Sequence, residues 1–212
     1  MIKKLDQKGF TIIELMIATA VFATVLFIVT YGIIQISKMF TNGFIQTQTQ
    51  NVTASLSDQL TRDVQFSSSS AIGPDQGPVL LSNGLSYYYF CTYQYEYFYN
   101  PGGNFYKIPI SAISSCQPPH PSWLTNSQNQ SLLSGNMEIL NNLPGYDDSS
   151  QQSIIATGST GGLYSINLDI LYGSTGNLVQ NDNSTQWVCQ PTVLIGPFCA
   201  TYSLTSEAYA QN

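Results

Sequence analysis

The stretch KGFTIIELMIATAVFATVLFIVT occupies residues 8–30. Its residues are almost all apolar, yet one carboxylate, Glu14, stands five positions after Gly9. A charged side chain in the hydrocarbon of a bilayer costs roughly 2.5–3.5 kcal/mol on insertion scales, so Glu14 needs a partner. The identity of that partner bears directly on what the chain does.

The apolar run is long enough to cross a membrane. Residues Leu15 to Ser37 are 23 positions without a charge, and at about 1.5 Å per residue they span a hydrocarbon core of roughly 30 Å. Lysines 3, 4 and 8 precede the run. Basic residues stay on the cytoplasmic side, so the sequence predicts a single pass through the cytoplasmic membrane, with the N-terminus inside and everything after Lys38 exported.

Charge and cysteine content fit an exported domain. Only 8% of the residues are charged, against about 25% in an ordinary soluble domain. The net charge is −6, and removal of residues 1–9, which carry three lysines and Asp6 (+3 − 1 = +2), would leave −6 − 2 = −8. Such a body repels phosphate backbones, so no nucleic acid is expected to bind it.

Four cysteines, an even number, all follow the apolar run, as expected of a part that meets an oxidising compartment. The short sequence separations favour one disulfide between Cys91 and Cys116 and another between Cys189 and Cys199. The other pairings stay open, because four cysteines allow three connectivities.

The position of the cleavage junction separates this segment from an ordinary secretory signal, whose small-residue cleavage site follows the apolar region. Here ATA (18–20) and ATV (23–25) lie inside the run, and the abrupt junction, Gly9–Phe10, precedes it. A cut there would remove the basic leader and keep the membrane helix.

Residues Lys8-Gly9-Phe10-Thr11-Ile12-Ile13-Glu14-Leu15 and the apolar run after them resemble the class III leader of type IV pilins and pseudopilins. The resemblance implies that prepilin peptidase cuts between Gly9 and Phe10, and that Phe10 is then N-methylated. It implies that Glu14 pairs with the N-terminal amine of a neighbouring subunit during assembly. The implied partners are other pilin subunits, the inner-membrane assembly platform and membrane lipid, and the implied product is an extracellular or periplasmic filament.

Glu14 also has a local interpretation. Thr11-x-x-Glu14 fits a capping box, in which both side chains satisfy backbone N–H groups at a helix start. Capping is compatible with an assembly role but does not explain the cleavage-compatible residues immediately upstream.

The apolar pattern continues beyond the membrane segment in steps of four, broken only at Gln48. This pattern predicts an amphipathic helix that emerges from the membrane helix, and the two together form one long helix over 10–66. The series comprises Ile36, Phe40, Phe44, Val52, Leu56, Leu60 and Val64. Gly32 and Asn42-Gly43 are the expected bending points, and the Gln/Thr-rich segment 47–53 leaves a disordered tether as the alternative. The expected organisation is a leader over 1–9, this helix with its membrane-spanning part at about 15–37, and a β-rich head over 67–212.

The head reads as short strands between turn residues. Residues 87–110 predict a long strand, a turn at 100–103 and a return strand. Residues 164–171 alternate, with Tyr164, Ile166, Leu168 and Ile170 on one face, and 187–204 predict a closing pair around Gly196-Pro197. The expected fold is therefore α+β, a long N-terminal helix packed on an antiparallel sheet with long loops.

One strand face is predicted to be rich in tyrosine. In a single strand, alternation would place Cys91 on one face with Tyr87, Tyr89, Tyr93, Tyr95, Tyr97 and Tyr99. The face is either an aromatic platform for sugars or partner subunits, or simply a half-buried sheet surface, where aromatic residues are favoured.

No constellation for catalysis is visible. The single histidine, His120, lacks triad partners, and Cys116 with His120 would supply only half of a metal site. Asp147-Asp148 and Asp182 leave a calcium site open, but no cofactor and no enzymatic activity are expected.

The sequence therefore predicts a structural subunit of a type IV pilus-like filament. Its size, its large head and the Arg62-Asp63 pair near the helix end resemble a W-type minor pilin or a J-type pseudopilin. The alternatives are a pseudopilin of a type II secretion system, and a tip adhesin that binds through the tyrosine face.

Overall fold

A computed structural model describes residues 10–69, 71–73, 75–110, 116–121, 130–133, 135–143, 153–157, 162–180, 187–189 and 199–211. The chain divides into two compact units, one ending at Gly43 and the other covering Phe44–Asn212. The second unit contains the last part of the long helix as well as the expected head.

The long helix, α1, covers Ile12–Gln65, 54 residues without interruption. It runs continuously through Gly32 and Asn42-Gly43, and segment 47–53 is helical rather than a tether. The predicted bounds, 10 and 66, lie within two residues of the observed ones. In the first unit the large apolar side chains of α1 are exposed, and by length and composition the helix can cross a membrane.

The buried face of α1 in the second unit differs in part from the predicted series. Leu56, Leu60 and Val64 are buried as expected, but Phe44 is exposed and the line continues instead through Thr53, Thr49 and Ile45. The physical reason is the 3.6-residue repeat, because a strict step of four drifts by about 40° per step and winds off the core side.

The buried hydroxyl groups on α1 are satisfied locally or across the interface. Thr49 and Thr53 donate to the carbonyl oxygens four residues earlier, at 2.9 and 2.8 Å. Ser57 Oγ lies 2.8 Å from Ser206 Oγ, which ties the helix to the last strand. Small polar residues can therefore stand on the core side of α1.

The described strands form three antiparallel sheets. The first has the order β1 to β5: Gln76–Leu80, Ser86–Cys91, Tyr95–Tyr99, Phe105–Pro109 and Gln130–Ser131. In the second, β8 (Leu163–Tyr172) is flanked by β11 (Ala200–Tyr209) and by β6 (Met137–Ile139), and it also pairs with β7 (Ile155–Thr157). In the third, β9 (Leu178–Gln180) pairs with β10 (Trp187–Cys189).

The main core of the second unit lies where α1 and the two larger sheets meet. Leu56, Leu60 and Val64 of α1 share this cluster with one face of the first sheet and one face of β8. The strand members include Phe90, Tyr97, Tyr99, Phe105, Ile166, Leu168 and Ile170. The α+β fold expected from the sequence is confirmed.

The expected long strand over 87–99 is instead two strands, β2 and β3, joined by a tight turn at Thr92–Tyr95. The Thr92 backbone N–H donates to the carbonyl of Tyr95 at 2.8 Å, and Thr92 Oγ1 accepts from the Tyr95 N–H at 3.2 Å. The threonine side chain thus closes the turn. The turn predicted at 100–103 is present, with Gly102 at a positive φ of 72°.

The C-terminal strands were only partly predicted. The alternation in 164–171 is confirmed, since Tyr164, Ile166, Leu168 and Ile170 all enter the main core. The closing pair around Gly196-Pro197 was wrong: β10 pairs with β9, and β11 pairs with β8 over ten residues in continuous register. Gly196 and Pro197 themselves lie outside the described residues.

The structure joins Cys91 to Cys116 and Cys189 to Cys199, the pairing favoured by the short sequence separations. The first bond ties β2 to the segment that follows β4, and the second joins β10 to the residue preceding β11. Each loop closure restricts the unfolded chain and so stabilises the folded unit.

We expect peptide mapping of the non-reduced protein to recover both disulfides. Each is predicted to contribute on the order of 3 kcal/mol in the chain-entropy treatment, so replacing both cysteines of either pair by serine should lower the melting temperature. Free thiols in the purified protein, or Cys91 linked to Cys189 or Cys199, would show the assignment to be wrong.

Candidate functional site

The N-terminus of α1 forms the predicted capping box. Glu14 Oε2 accepts hydrogen bonds from the Thr11 backbone N–H at 2.9 Å and from Thr11 Oγ1 at 2.8 Å. In return, the Glu14 N–H donates to Thr11 Oγ1 at 3.4 Å. The carboxylate is therefore held at the helix start, where it also complements the helix dipole.

The cap places the Glu14 carboxylate beside the backbone that precedes Thr11. Phe10 is the residue immediately before, and it is 83% exposed. Gly9, on the other side of the predicted cleavage junction, lies outside the described residues. In a chain that began at Phe10, the terminal amine would lie one residue before Thr11, whose N–H donates to Glu14 Oε2. The chain's own amine and that of a neighbouring subunit are therefore both candidate partners of the Glu14 carboxylate.

The first unit offers its apolar helix surface without cover. Its exposed side chains include Ile12, Ile13, Leu15, Met16, Phe22, Phe27 and Ile36. Surfaces of this size are covered in the working protein by lipid or by other protein. The first unit is therefore suited to a bilayer, to packing against neighbouring helices, or to both in turn.

The tyrosines do not share one face. Because of the Thr92–Tyr95 turn, Tyr87 and Tyr89 pack with Phe98 on one side of the first sheet, whereas Tyr97 and Tyr99 enter the main core on the other. All four are buried, and only Tyr93, in the turn, is largely exposed. The prediction of one shared tyrosine face was wrong, and the alternative interpretation, packing within the sheet, explains the composition.

Asp63, near the end of α1, is bound by two residues of the first sheet. Lys107 Nζ lies 2.8 Å from Asp63 Oδ2, and the Tyr97 hydroxyl donates to the same oxygen. The ammonium also lies 3.5 Å from the centre of the Tyr95 ring, a cation–π contact. This cluster, the Asp63 node, joins α1 to β3 and β4, and removing either charge would leave the other poorly paired.

A second carboxylate is bound between separate parts of the second unit. Asp75 Oδ2 accepts from the Tyr99 hydroxyl at 2.7 Å and from the Ile154 N–H at 2.6 Å, while its Oδ1 is buried without a hydrogen-bond partner. Asn142 in turn donates to the Tyr99 oxygen at 2.6 Å. Burial outweighs these hydrogen bonds and raises the pKa of Asp75 to about 7.

Glu96 is the least compensated charge of the described residues. It lies on β3 with 0% of its surface exposed, and neither carboxyl oxygen has a hydrogen-bond partner. Its neighbours in register are Cys91 and Ile108. Burial raises the pKa of Glu96 to about 8, so the side chain is mostly protonated at neutral pH.

The remaining candidate ligands do not assemble into a metal site. Cys116 is bonded to Cys91, which removes it as a partner of the exposed His120. Within the described ranges, no three His, Cys, Asp or Glu side chains are grouped so as to hold a metal ion. Asp147-Asp148 and Asp182 lie outside those ranges, and the expectation of no cofactor stays a prediction.

Sequence reasoning did not identify three residues of these clusters: Asp75, Glu96 and Lys107. Lys107 could have been noticed, because it is the only lysine or arginine after Arg62, and a lone cation in an aromatic strand calls for a carboxylate partner. Glu96 shares its strand face with Phe98 in YEYFY, so alternation places this acid on an apolar face. Asp75 has no comparable signal in the sequence.

Among known sequence families, the prokaryotic N-terminal methylation motif matches residues 4–30. Neither the curated proteins nor the solved structures include a significant match to this chain. The matched motif covers residues 4–9 of the predicted leader, the Gly9–Phe10 junction, Glu14 and most of the apolar run. It supports a type IV pilin-like or pseudopilin subunit, a class of structural proteins that anchor in the membrane, are processed by prepilin peptidase and assemble with other pilin subunits.

The burial of Glu96 predicts that the second unit is more stable in acid than in alkali. Its folded pKa of about 8 lies above the ordinary value of 4.5, so the folded state holds this proton more tightly than the unfolded chain. Its contribution is fully present below pH 4.5 and is lost as the pH rises to about 8, with a slope of at most about 1.4 kcal/mol per pH unit.

Glu96→Gln should reduce this pH dependence and raise the melting temperature above pH 8. The interval between pH 7 and 8 is the most informative, because the corresponding window of Asp75 runs from 3.8 to about 7. Thermal unfolding of the full chain in detergent would measure the effect, with Glu207→Gln on an exposed position as the matched control. Equal slopes for wild type and Glu96→Gln would contradict the prediction.

Proposed function

We propose that this chain is a minor subunit of a type IV pilus-like filament. In this function Phe10 becomes the methylated first residue after cleavage at Gly9. The first unit then anchors the subunit in the membrane and later packs among other helices in the fibre. The head carries no catalytic role and is presented outside the membrane.

The observation that carries the proposal is the start of α1. The Glu14 carboxylate accepts two hydrogen bonds from Thr11 at the N-terminus of α1. The large apolar side chains of this helix are exposed throughout the first unit. Within that unit the next cation after Glu14 is Lys38, 24 residues and about 36 Å along the helix. The amines available to Glu14 are therefore those at Phe10, its own or a neighbour's.

A minor role, rather than that of the abundant shaft subunit, is supported by the head. It has two larger sheets, a small third sheet and two disulfides, and Asp63 of the Arg62-Asp63 pair has a structural role at the end of α1. A secretion pseudopilin shares the leader and stays the second candidate. The tyrosine-face adhesin loses its support, since the tyrosines that defined the face are mostly buried.

Processing is the first test. The mature protein should begin at N-methylated Phe10 and keep the whole of α1, because the junction precedes the apolar run. Gly9→Val should block cleavage by hindering access to the scissile bond. Mass spectrometry of the membrane-bound and assembled protein would detect both, and an intact Met1 in filaments, or a terminus beyond residue 30, would contradict the proposal.

Glu14→Gln is the second test, and it separates charge pairing from capping. Glutamine can also complete a capping box, so helix formation and membrane insertion should be retained. The negative charge is lost, and the share of subunits in sheared filaments relative to the membrane should fall severalfold.

Thr11→Ala supplies the matched control. It removes the threonine side chain of the cap but keeps the Glu14 charge, so assembly should stay close to that of wild type once processing at Phe10 has been verified. If Glu14→Gln assembles as well as wild type while Thr11→Ala does not, capping is the role of Glu14 and charge pairing is wrong.

A further inference from the structure

The chain contains the dipeptide Asn-Gly twice, at Asn42-Gly43 and at Asn83-Gly84. In this dipeptide the backbone nitrogen of glycine can attack the side-chain amide carbon of asparagine, because glycine has no Cβ to hinder the close approach. The reaction converts asparagine into aspartate or isoaspartate. All four residues are exposed, so access to solvent does not distinguish the two sites, whereas backbone conformation does.

Asn42-Gly43 lies inside α1, which runs from Ile12 to Gln65 without interruption. In an α-helix each N–H donates to the carbonyl four residues earlier, and the side chains point outward from the helix axis. The Gly43 nitrogen is therefore held away from the Asn42 side chain. Reaction at this site requires the helix to open around Gly43 first.

Asn83-Gly84 lies in the loop between β1 and β2. Gly84 has a positive φ of 79°, its N–H donates to the Leu81 carbonyl at 2.9 Å, and the Leu81 N–H donates to the Leu85 carbonyl at 3.1 Å. These bonds define a three-residue hairpin loop that ends in a left-handed glycine. Residues 82–86 are all exposed, so the Gly84 hydrogen bond can open without uncovering the core.

The Asn83 side chain is held over the peptide that would attack it. Its Oδ1 accepts from the Leu85 N–H at 3.0 Å, and its Nδ2 donates to the Tyr87 hydroxyl oxygen at 3.4 Å. The first bond folds the side chain over the Gly84 peptide. It also polarises the bond between Cγ and Oδ1, which makes Cγ a better electrophile. The second bond places a hydroxyl group beside the nitrogen that has to leave.

We propose that Asn83 is a site of spontaneous deamidation, and that α1 protects the identical dipeptide at Asn42. The Gly84 nitrogen loses its proton to solvent base and forms a bond to Asn83 Cγ. The bond between Cγ and Nδ2 breaks, and Nδ2 leaves as ammonia after taking up a proton from the Tyr87 hydroxyl or from water. Water then opens the cyclic imide at either of its two carbonyl groups, which gives aspartate or isoaspartate.

The modification changes the loop that joins β1 to β2. Both products add a negative charge and remove the amide that donates to Tyr87, and isoaspartate also adds one atom to the backbone of the loop. The register of a hairpin depends on its loop, and β1 is at one end of the described order of the first sheet. Hydrogen exchange in residues 76–80 should therefore be faster in the converted protein, and unchanged exchange would contradict this consequence.

The two dipeptides can be compared within one sample. The purified full chain is incubated in detergent at neutral pH, while circular dichroism verifies that it stays folded. Peptide mapping by mass spectrometry, with synthetic aspartate and isoaspartate standards, follows both sites over time. Asn83 should convert at least about tenfold faster than Asn42, because opening of the helix must precede reaction at Asn42.

Two controls test the role of the fold and of Gly84. In denaturant neither the helix nor the loop remains, so the two sites should convert at similar rates. Gly84→Asp keeps a residue that tolerates a positive φ better than most, but its side chain hinders the approach of the backbone nitrogen to Cγ. This variant should slow conversion at Asn83 severalfold and leave Asn42 unchanged.

The outcomes decide the proposal without reference to filament assembly, because the inference concerns the loop alone. Asn83 that stays intact in the folded chain, over a period in which the unfolded chain converts at both sites, would overturn it. Equal conversion of Asn42 and Asn83 in the folded chain would overturn the protection by α1. Conversion that Gly84→Asp does not slow would show that the Gly84 nitrogen is not the attacking group.

Discussion

The packing of one face of α1 against the two larger sheets is the contact on which the second unit depends. Leu60 and Val64 are fully buried there, beside aromatic rings from β2, β3 and β4. A helix gains most of its stability in a folded protein from such packing rather than from propensity. In the first unit the apolar side chains of the same helix are exposed, and its buried residues begin only at Ile45. One helix therefore has two kinds of surface, which meet near Phe44.

The few charges of the second unit follow from this packing. The Asp63 node places an ion pair where helix and sheet meet, Asp75 links β3 to the backbone before β7, and Glu96 is accommodated largely as the neutral acid. These are three different responses to the same cost of burying a carboxylate.

Much of the fold was predictable because its signals are local. The helix was placed within two residues at each end from apolar spacing, and β8 from its strict alternation. Three expectations failed at points where a distant or local detail intervened. Thr92 closes a turn inside an aromatic run, so one expected strand is two. β11 pairs with β8 and not with β10. The 3.6-residue repeat of the helix buries Ile45 and leaves Phe44 exposed.

By itself the sequence determined the uncharged run and the capping box of Thr11 and Glu14, and it predicted the leader and the junction before Phe10. These features depend on neighbouring residues and on the general cost of burying charge in a membrane. The tertiary structure alone decided which tyrosines are buried and which carboxylate Lys107 meets. The reason is physical. Alternation along a strand defines two faces but not what covers each of them, and an ion pair between residues 44 apart, such as Asp63 and Lys107, exists only once strand pairing and helix packing have brought them together.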